Sequence, residues 1–547
     1  MKSFKGRIAS EGLGYGVVFR LDAKNTQAKK ANLSDFDQLK LYEDVCKRLK
    51  EKLLHDAENV SEKLGKEYAE FLQIQLMFLD DAEFDGAIRS KISDGCTVVE
   101  AITTVANSLN DEFLSIDDEY LSQRGKDVLH LADDLVNLIL YDDDETATTL
   151  PDNAIIVAKE ITPNQILSFD REKVAALVSV IGSEHAHSAI LARMLDIPYL
   201  YGVAKSILKI KNGTPTVVDA CWGEISCRPD EDILEEVMER LAEIAEEKAD
   251  CEKYRGKPSV TKSGKQIHLY ANIATVEDAK TAIKNDAEGI GLLRTECFFM
   301  NHRSYPSEEE QIAFYSEISQ AINHKPLTIR TFDFGSDKKV PFLNLPKENN
   351  PALGYRGVRI CLEDEAFFKT QLRAIYSVAK RVKNETGHSS ISIMFPMIAS
   401  SWEIYDCIKL CRIVEKELEI DFKVPLGAMI ETPAAVFIAD KLAEKVDFFS
   451  VGTNDLSQYL LAVDRQCNDN VSIHFDPHHK AILKALKMVG KSAVKHNIEA
   501  GICGELAMDL YVTKTLVDYG FTKFSVNSNK ILPLRRNLKI MKREPLW

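Results

Sequence analysis

The chain has 547 residues, 45% hydrophobic and 28% charged. That length and mixture predict about three or four soluble globular domains, with core enough to need no disulfide or metal staples. Lys+Arg 69 against Asp+Glu 84 leaves a formal net charge of −15, which argues against a general nucleic-acid binder. The eleven cysteines form no CxxC pair, so zinc-ribbon and thioredoxin-like readings fall. No run of about 18 apolar residues occurs, so membrane insertion is not expected. Residues 1–10 carry Lys2 and Lys5 with no apolar stretch behind them, so no signal peptide is expected, and the scattered thiols point to a reduced, cytoplasmic protein.

In chain order, Gly12, Gly14 and Val17-Val18-Phe19 read as strand material. From 32 to 150 there is no proline, and apolar residues recur at helical spacing, as in Leu39, Val45, Leu49, Leu53 and Leu54 and again in Phe71, Ile74, Leu76, Met77 and Phe78. This predicts a bundle of about four helices over 32–145, ended by Asp142-Asp143-Asp144-Glu145 and Pro151. Short buried strands follow at 154–158, 175–180 and 216–218. Paired with the first residues, they predict a small α/β domain made of 1–31 and 146–228, into which the bundle is inserted. Pro229-Asp230-Glu231-Asp232 opens a long helix with an apolar stripe through Ile233, Val237, Leu241 and Ile244, a linker over 229–258. Beyond 259, eight candidate strands (267–271, 289–293, 327–331, 391–396, 426–430, 447–452, 498–502 and 523–527) alternate with helical stretches. That pattern fits an α/β (β/α)₈ TIM barrel over 259–547.

Reactive residues of such a barrel gather at the C-terminal ends of its strands. Here those ends run into Arg294-Thr295-Glu296, Arg330-Thr331-Phe332-Asp333, Glu431-Thr432-Pro433, Gly452-Thr453-Asn454-Asp455 with Arg465 further on, and Cys503-Gly504-Glu505. Arginine matches phosphate or carboxylate oxygens two at a time. Glu431 and Asp455 are of the type that holds Mg²⁺, which takes one or two carboxylates and fills its shell with substrate oxygens and water. Cys503 is a candidate proton donor. Singly, each reads as a salt bridge or an inert thiol; together on one rim they read as a site for a small phosphorylated acid. A second constellation, Gly182-Ser183-Glu184-His185-Ala186-His187-Ser188-Ala189-Ile190, follows a buried strand. A histidine at a helix start offers a neutral nitrogen as nucleophile, and the helix N-terminus favours a phosphoryl group on it.

Ser450-Val451-Gly452-Thr453-Asn454-Asp455-Leu456-Ser457-Gln458-Tyr459, Gly289-Ile290-Gly291-Leu292-Leu293-Arg294-Thr295-Glu296, Met394-Phe395-Pro396-Met397 and Cys503-Gly504-Glu505 resemble the signatures of phosphoenolpyruvate-dependent phosphotransferases. The order of parts is similar to enzyme I of the bacterial phosphoenolpyruvate:sugar phosphotransferase system. The resemblance implies that phosphoenolpyruvate and Mg²⁺ bind in the barrel and that His187 takes the phosphoryl group. It implies too that Cys503 protonates the enolate and that the bundle docks the carrier protein HPr, whose histidine receives the phosphoryl group. It further implies that Arg294 and Arg330 contact phosphate, that Asn454, Asp455 and Arg465 hold substrate with Arg356 a further candidate, and that Glu431 and Asp455 are the metal ligands. The barrel is expected to form a homodimer.

The sequence departs from that family around the histidine. The family writes G-G-x-T-S-H where this chain has Gly182-Ser183-Glu184-His185-Ala186-His187, and T-P-S-x-T where it has Thr162-Pro163-Asn164-Gln165-Ile166. His187, rather than His185, is in register with the downstream Ser188-Ala189-Ile190-Leu191-Ala192-Arg193. In the barrel, Ser336 stands where glycine is usual. These departures leave two alternatives open: a paralogue that feeds a regulatory or non-sugar HPr-like carrier, and a weakly active or non-catalytic scaffold. Related dikinases and synthases require an ATP-binding domain for which the first 150 residues leave no room.

Overall fold

The computed structural model describes residues 2–21, 37–63, 70–115, 119–140, 150–183, 186–300, 302, 304–336, 340, 342–343, 345, 348–464, 471 and 474–540. The chain divides into two units, Met1–Ala245 and Glu246–Trp547. In the first, eight strands form one sheet: β1 (Lys2–Lys5), β2 (Arg7–Ser10), β3 (Leu13–Arg20), β4 (Ala154–Ala158), β5 (Val174–Ser179), β6 (Tyr199–Tyr201), β7 (Pro215–Asp219) and β8 (Glu224–Cys227), in the order β1-β8-β7-β3-β4-β5-β6-β2. β4 is buried at every position, as an apolar strand covered on both faces must be. It runs parallel to β3 with Val17 opposite Ala154. Gly16 is required there, because a Cβ on it would stand 1.7 Å from the Asn153 carbonyl oxygen.

A parallel pair needs a crossover, and between β3 and β4 this is the helical insertion. Among the described residues it holds five helices: α1 (Gln38–Lys63), α2 (Glu70–Leu79), α3 (Ala82–Ser93), α4 (Val98–Ser115) and α5 (Glu119–Leu140). The sequence pattern predicts about four. The additional break lies between α2 and α3, where no glycine or proline marks it. It is made by Asp81, whose carboxylate accepts the N–H groups of Glu83 and Phe84 at 2.9 and 2.8 Å. Leu49, Leu72, Ile88, Ile102, Leu131 and Leu135 fill the bundle's interior. Two short helices follow in the α/β part, α6 (Pro163–Ser168) and α7 (His187–Met194), and α8 (Glu231–Glu252) crosses the boundary between the units.

The second unit is a closed barrel of eight parallel strands: β9 (His268–Ile273), β10 (Ile290–Leu293), β11 (Leu327–Arg330), β12 (Ile391–Phe395), β13 (Leu426–Ile430), β14 (Phe448–Val451), β15 (Glu499–Ile502) and β16 (Lys523–Val526). β16 closes on β9 with Val526 opposite Ala271. Each matches a strand expected from the sequence within a few residues. The fold class read from the sequence, a sheet domain with an inserted bundle followed by a (β/α)₈ barrel, is the one observed. Arg535, 2% exposed, donates to the Ser259 hydroxyl and the Asp286 carbonyl, tying the last helix (Ile531–Ile540) to the barrel's first residues. No described helix is long and apolar enough to cross a membrane.

Candidate active site

The barrel places its chemistry where the sequence leads one to look. Arg294 follows β10, Arg330 ends β11, Glu431 follows β13, and Cys503 follows β15. Asn454 and Asp455 lie in the first turn of the helix after β14 (Thr453–Leu461). These residues line one cavity of about 1030 Å³, together with Glu296, Asp333, Arg356, Met397 and Glu505. Arg465 lies outside the described residues.

The charges in this cavity interlock. Arg330 donates to Glu296 at 2.8 Å and sits 2.9 Å from an Asp333 oxygen. Arg356 donates to both oxygens of Asp333 at 3.2 Å and lies 3.8 Å from Asp455. Asp333 is 3% exposed, so its charge is compensated by these two guanidiniums and not by water. The Nε atoms of Arg330 and Arg356 are buried with no hydrogen-bond partner among the described residues. Arg294 differs: it is exposed and makes no hydrogen bond or ion pair with a described residue, which leaves its whole fork for an anion. Asn454 donates to Glu505 at 3.0 Å and accepts the Glu505 N–H at 3.0 Å, a reciprocal pair that fixes the amide on the rim. Asp333 and Glu505 stand within the motifs quoted above, but the sequence gives them no role. The R-x-x-D spacing after β11 was the available signal for Asp333.

Glu431 is 1% exposed and accepts the Met397 N–H at 2.6 Å. Burial, and then the neighbouring charges of Asp333 and Asp455, push its carboxyl up to about 8. A carboxylate crowded in this way is the environment that a divalent cation relieves, and Glu431 with Asp455 offers the hard oxygen donors such an ion takes. The residues fit the ion, but as part of its shell only. No cluster of three or more His, Cys, Asp or Glu arranged for a metal occurs among the described residues, so these two carboxylates would be at most part of an ion's shell. Cys503, 3% exposed, packs with Leu292, Met394, Met429 and Phe448. Its thiol donates to the Val451 carbonyl at 3.5 Å. Burial pushes it up to about 11, against the lowering influence of Ser450, Arg330 and Arg294, so it stays an acid at neutral pH.

In the first unit, α7 begins at His187 with Ala186 as its N-cap. Alanine makes no side-chain cap bond; its carbonyl instead accepts the Ala189 N–H at 2.9 Å, which closes the first turn. Glu184 and His185 lie outside the described residues. A cavity of about 100 Å³ opens beside this start, lined by Ser183, Ala186 and Ser188, by Asp127, His130 and Asp134 of α5, and by Glu160 and Asn164. Asn164, one of the departures noted above, donates to Asp134 at 3.2 Å and to Gln75 at 3.1 Å, joining the sheet domain to the bundle. Burial alone would lower the His130 imidazole, yet Glu160, Asp127 and Asp134 outweigh it and raise its pKa.

Residues 248–543 match the model of the PEP-utilising enzyme, PEP-binding domain; residues 150–223 match the mobile domain and residues 5–124 the N-terminal domain of the same enzymes. The chain belongs to the PEP-utilising enzymes. Among the relatives of this family, a protein of Bacillus subtilis (strain 168) named phosphoenolpyruvate-protein phosphotransferase is 34% identical over 553 residues, covering 100% of this chain and 95% of that one. Proteins of the same name from Priestia megaterium and Geobacillus stearothermophilus are 33% and 34% identical, covering 98% and 99% of this chain and 94% of each relative. Enzymes of this PEP-utilising family work with a divalent metal, in keeping with the crowded Glu431.

Proposed function

We propose that this chain is a phosphoenolpyruvate-protein phosphotransferase that moves the phosphoryl group of phosphoenolpyruvate to His187 and from there to the histidine of an HPr-like carrier, releasing pyruvate. The observation that carries the reading is the cavity that joins the exposed Arg294, the Arg330–Asp333–Arg356 cluster, the crowded Glu431 and the buried Cys503 thiol. Arg294 and Arg330 take the phosphate oxygens. Asn454, Asp455 and Arg465 hold the substrate, with Arg356 beside them. Glu431 and Asp455 would hold the cation, for which we propose Mg²⁺, and its positive charge would offset the negative charge that builds during transfer.

The imidazole nitrogen of His187 attacks phosphorus, the P–O bond to the enolate breaks, and its electron pair stays on that oxygen. Cys503 gives its S–H proton to C3, which closes the C2 carbonyl of pyruvate, and the thiolate regains a proton from water. Nucleophile and phosphoryl donor belong to different units of the chain, so the cycle includes a movement that brings them together and one that parts them. The linker over 229–258 serves that movement, the insertion over 32–145 docks the carrier, and the barrel forms a homodimer in the cytoplasm. Pyruvate formation from phosphoenolpyruvate with Mg²⁺ and a purified HPr-type carrier tests the reading. Arg294→Ala is expected to lower kcat/KM by about 10²-fold or more, and an unchanged value would overturn it.

The departures at Ser183, His185, Ala186 and Asn164 favour one second reading, a paralogue serving a regulatory or non-sugar carrier. It predicts that phosphoryl transfer to a sugar-system HPr is slow while another HPr-like carrier is phosphorylated fast. The opposite order excludes it.

A further inference from the structure

Asn272 lies on β9, outside the ring of residues that line the barrel cavity, and its side chain reaches toward the ends of two other strands. Its Nδ2 donates to the Cys503 carbonyl at 3.0 Å and to the Ser525 carbonyl at 3.1 Å, while its Oδ1 accepts the Ser525 hydroxyl at 2.7 Å. β15 and β16 pair at Gly501–Lys523 and Ile502–Phe524, and the pairing stops there. At the next position, Cys503 and Ser525, the amide of Asn272 bridges the two strands in place of a ladder bond. Two carbonyls on one side of the group identify that side as the NH₂. Of residues this size, only an amide supplies two N–H donors and an acceptor together.

On its other side, Cys503 is held by β14: its N–H donates to the Val451 carbonyl at 3.0 Å, and the thiol donates to the same oxygen at 3.5 Å. The backbone at Cys503 is therefore clamped between β14 and β9, with Gly504 pressed behind it so closely that a Cβ there would meet the Thr453 hydroxyl oxygen at 2.0 Å. Loss of the Asn272 amide strands the Cys503 carbonyl without its donor, and the peptide turns to recover one, carrying the thiol with it.

We infer that Asn272 is a positioning residue for the protonation step, holding Cys503 so that its thiol delivers the proton to one face of the enolate. This rests on the reading of Cys503 as the acid. In that step the C3–H bond forms as the S–H bond breaks, the enolate electrons close C2=O, and no other reactant is needed. Misplacement of a reacting group by about 1 Å costs about 10²-fold in rate, and a freed thiol also loses its choice of face.

The test is turnover of (Z)-3-fluorophosphoenolpyruvate in D₂O with carrier and Mg²⁺, the monodeuterated product being reduced at once to 3-fluorolactate and its configuration read by NMR. Wild type, Cys503→Ser, Asn272→Ala and the size-preserving Asn272→Asp are compared, with thermal midpoints alongside. A single configuration is expected from wild type and a mixture from Cys503→Ser and both Asn272 variants. With phosphoenolpyruvate itself, the Asn272 variants should lose about 10²-fold in kcat with KM within about threefold of wild type. A merely structural loss lowers the midpoint without scrambling the product. A single configuration at wild-type rate from both Asn272 variants, while Cys503→Ser scrambles, overturns the role of Asn272 and leaves Cys503 as the acid. A single configuration from Cys503→Ser as well removes both.

Discussion

The Met397 N–H donates to Glu431 at 2.6 Å from a backbone with φ of 57°. That left-handed conformation costs a residue other than glycine about 1–2 kcal/mol. Met397 is 2% exposed and packed in the barrel core, which holds the conformation in place. The strain aims one N–H at the carboxyl whose anion burial, Asp333 and Asp455 disfavour.

Glu431→Gln keeps an acceptor for that N–H and removes the charge. Without a divalent ion, the thermal midpoint of the variant should equal or exceed that of wild type, because a buried, crowded carboxylate is gone. Added Mg²⁺ should raise the midpoint of wild type and leave that of the variant unmoved, while turnover falls by about 10²–10³-fold. A variant that still gains stability from Mg²⁺ would show that the ion binds elsewhere.

Asp333 has a side chain 2% exposed between Arg330 and Arg356. Asp333→Asn preserves shape and leaves two largely buried guanidiniums short of a counter-charge. Breaking such a buried cluster costs about 3–5 kcal/mol, and the urea midpoint of the barrel should fall accordingly. A loss under about 1 kcal/mol would mean that Glu296 and Asp455 suffice.

His130 gives the first unit a pH dependence whose sign follows from its acidic neighbours. Its pKa is raised above 6.5 in the folded chain, with Glu160, Asp127 and Asp134 overcoming burial. Its contribution to stability is therefore fully present below the unfolded value and is lost as pH rises through the folded one. His130→Gln should lower the thermal midpoint of this unit at about pH 6 and have little effect at about pH 9. An equal loss at both would assign His130 to packing alone.

A thiol pushed up to about 11 is about 0.1% thiolate at pH 8. Mass mapping after brief iodoacetamide treatment at that pH should find the exposed Cys221 and Cys297 alkylated well before Cys503. Early alkylation of Cys503 would contradict its standing as a protonated acid.

Much of this molecule was legible in its sequence because the chemistry is local to strand ends. Arg294, Arg330, Glu431, Asp455 and Cys503 each follow an apolar run of barrel type, so recognising the strand located the residue. The interactions among them were not legible, since each joins distant stretches of chain. Arg356 reaches Asp333 from 23 residues away, and Asn272 reaches Cys503 across 231. No spacing rule announces either contact. The break at Asp81 was missed for a related reason, because a cap carboxylate replaces the glycine or proline that ordinarily ends a helix. The cavity at His130 depends on α5 meeting the loop before α6, a packing decision that the helical period of α5 leaves undetermined.

The central claim is that His187 carries the phosphoryl group, and the intact mass of the protein after incubation with phosphoenolpyruvate and Mg²⁺ tests it most directly. Wild type and His185→Ala should each gain one acid-labile phosphoryl group, about 80 Da on the atoms transferred, and His187→Ala should gain none. Phosphorylation that survives in His187→Ala, or a wild type that gains no mass, would contradict the account.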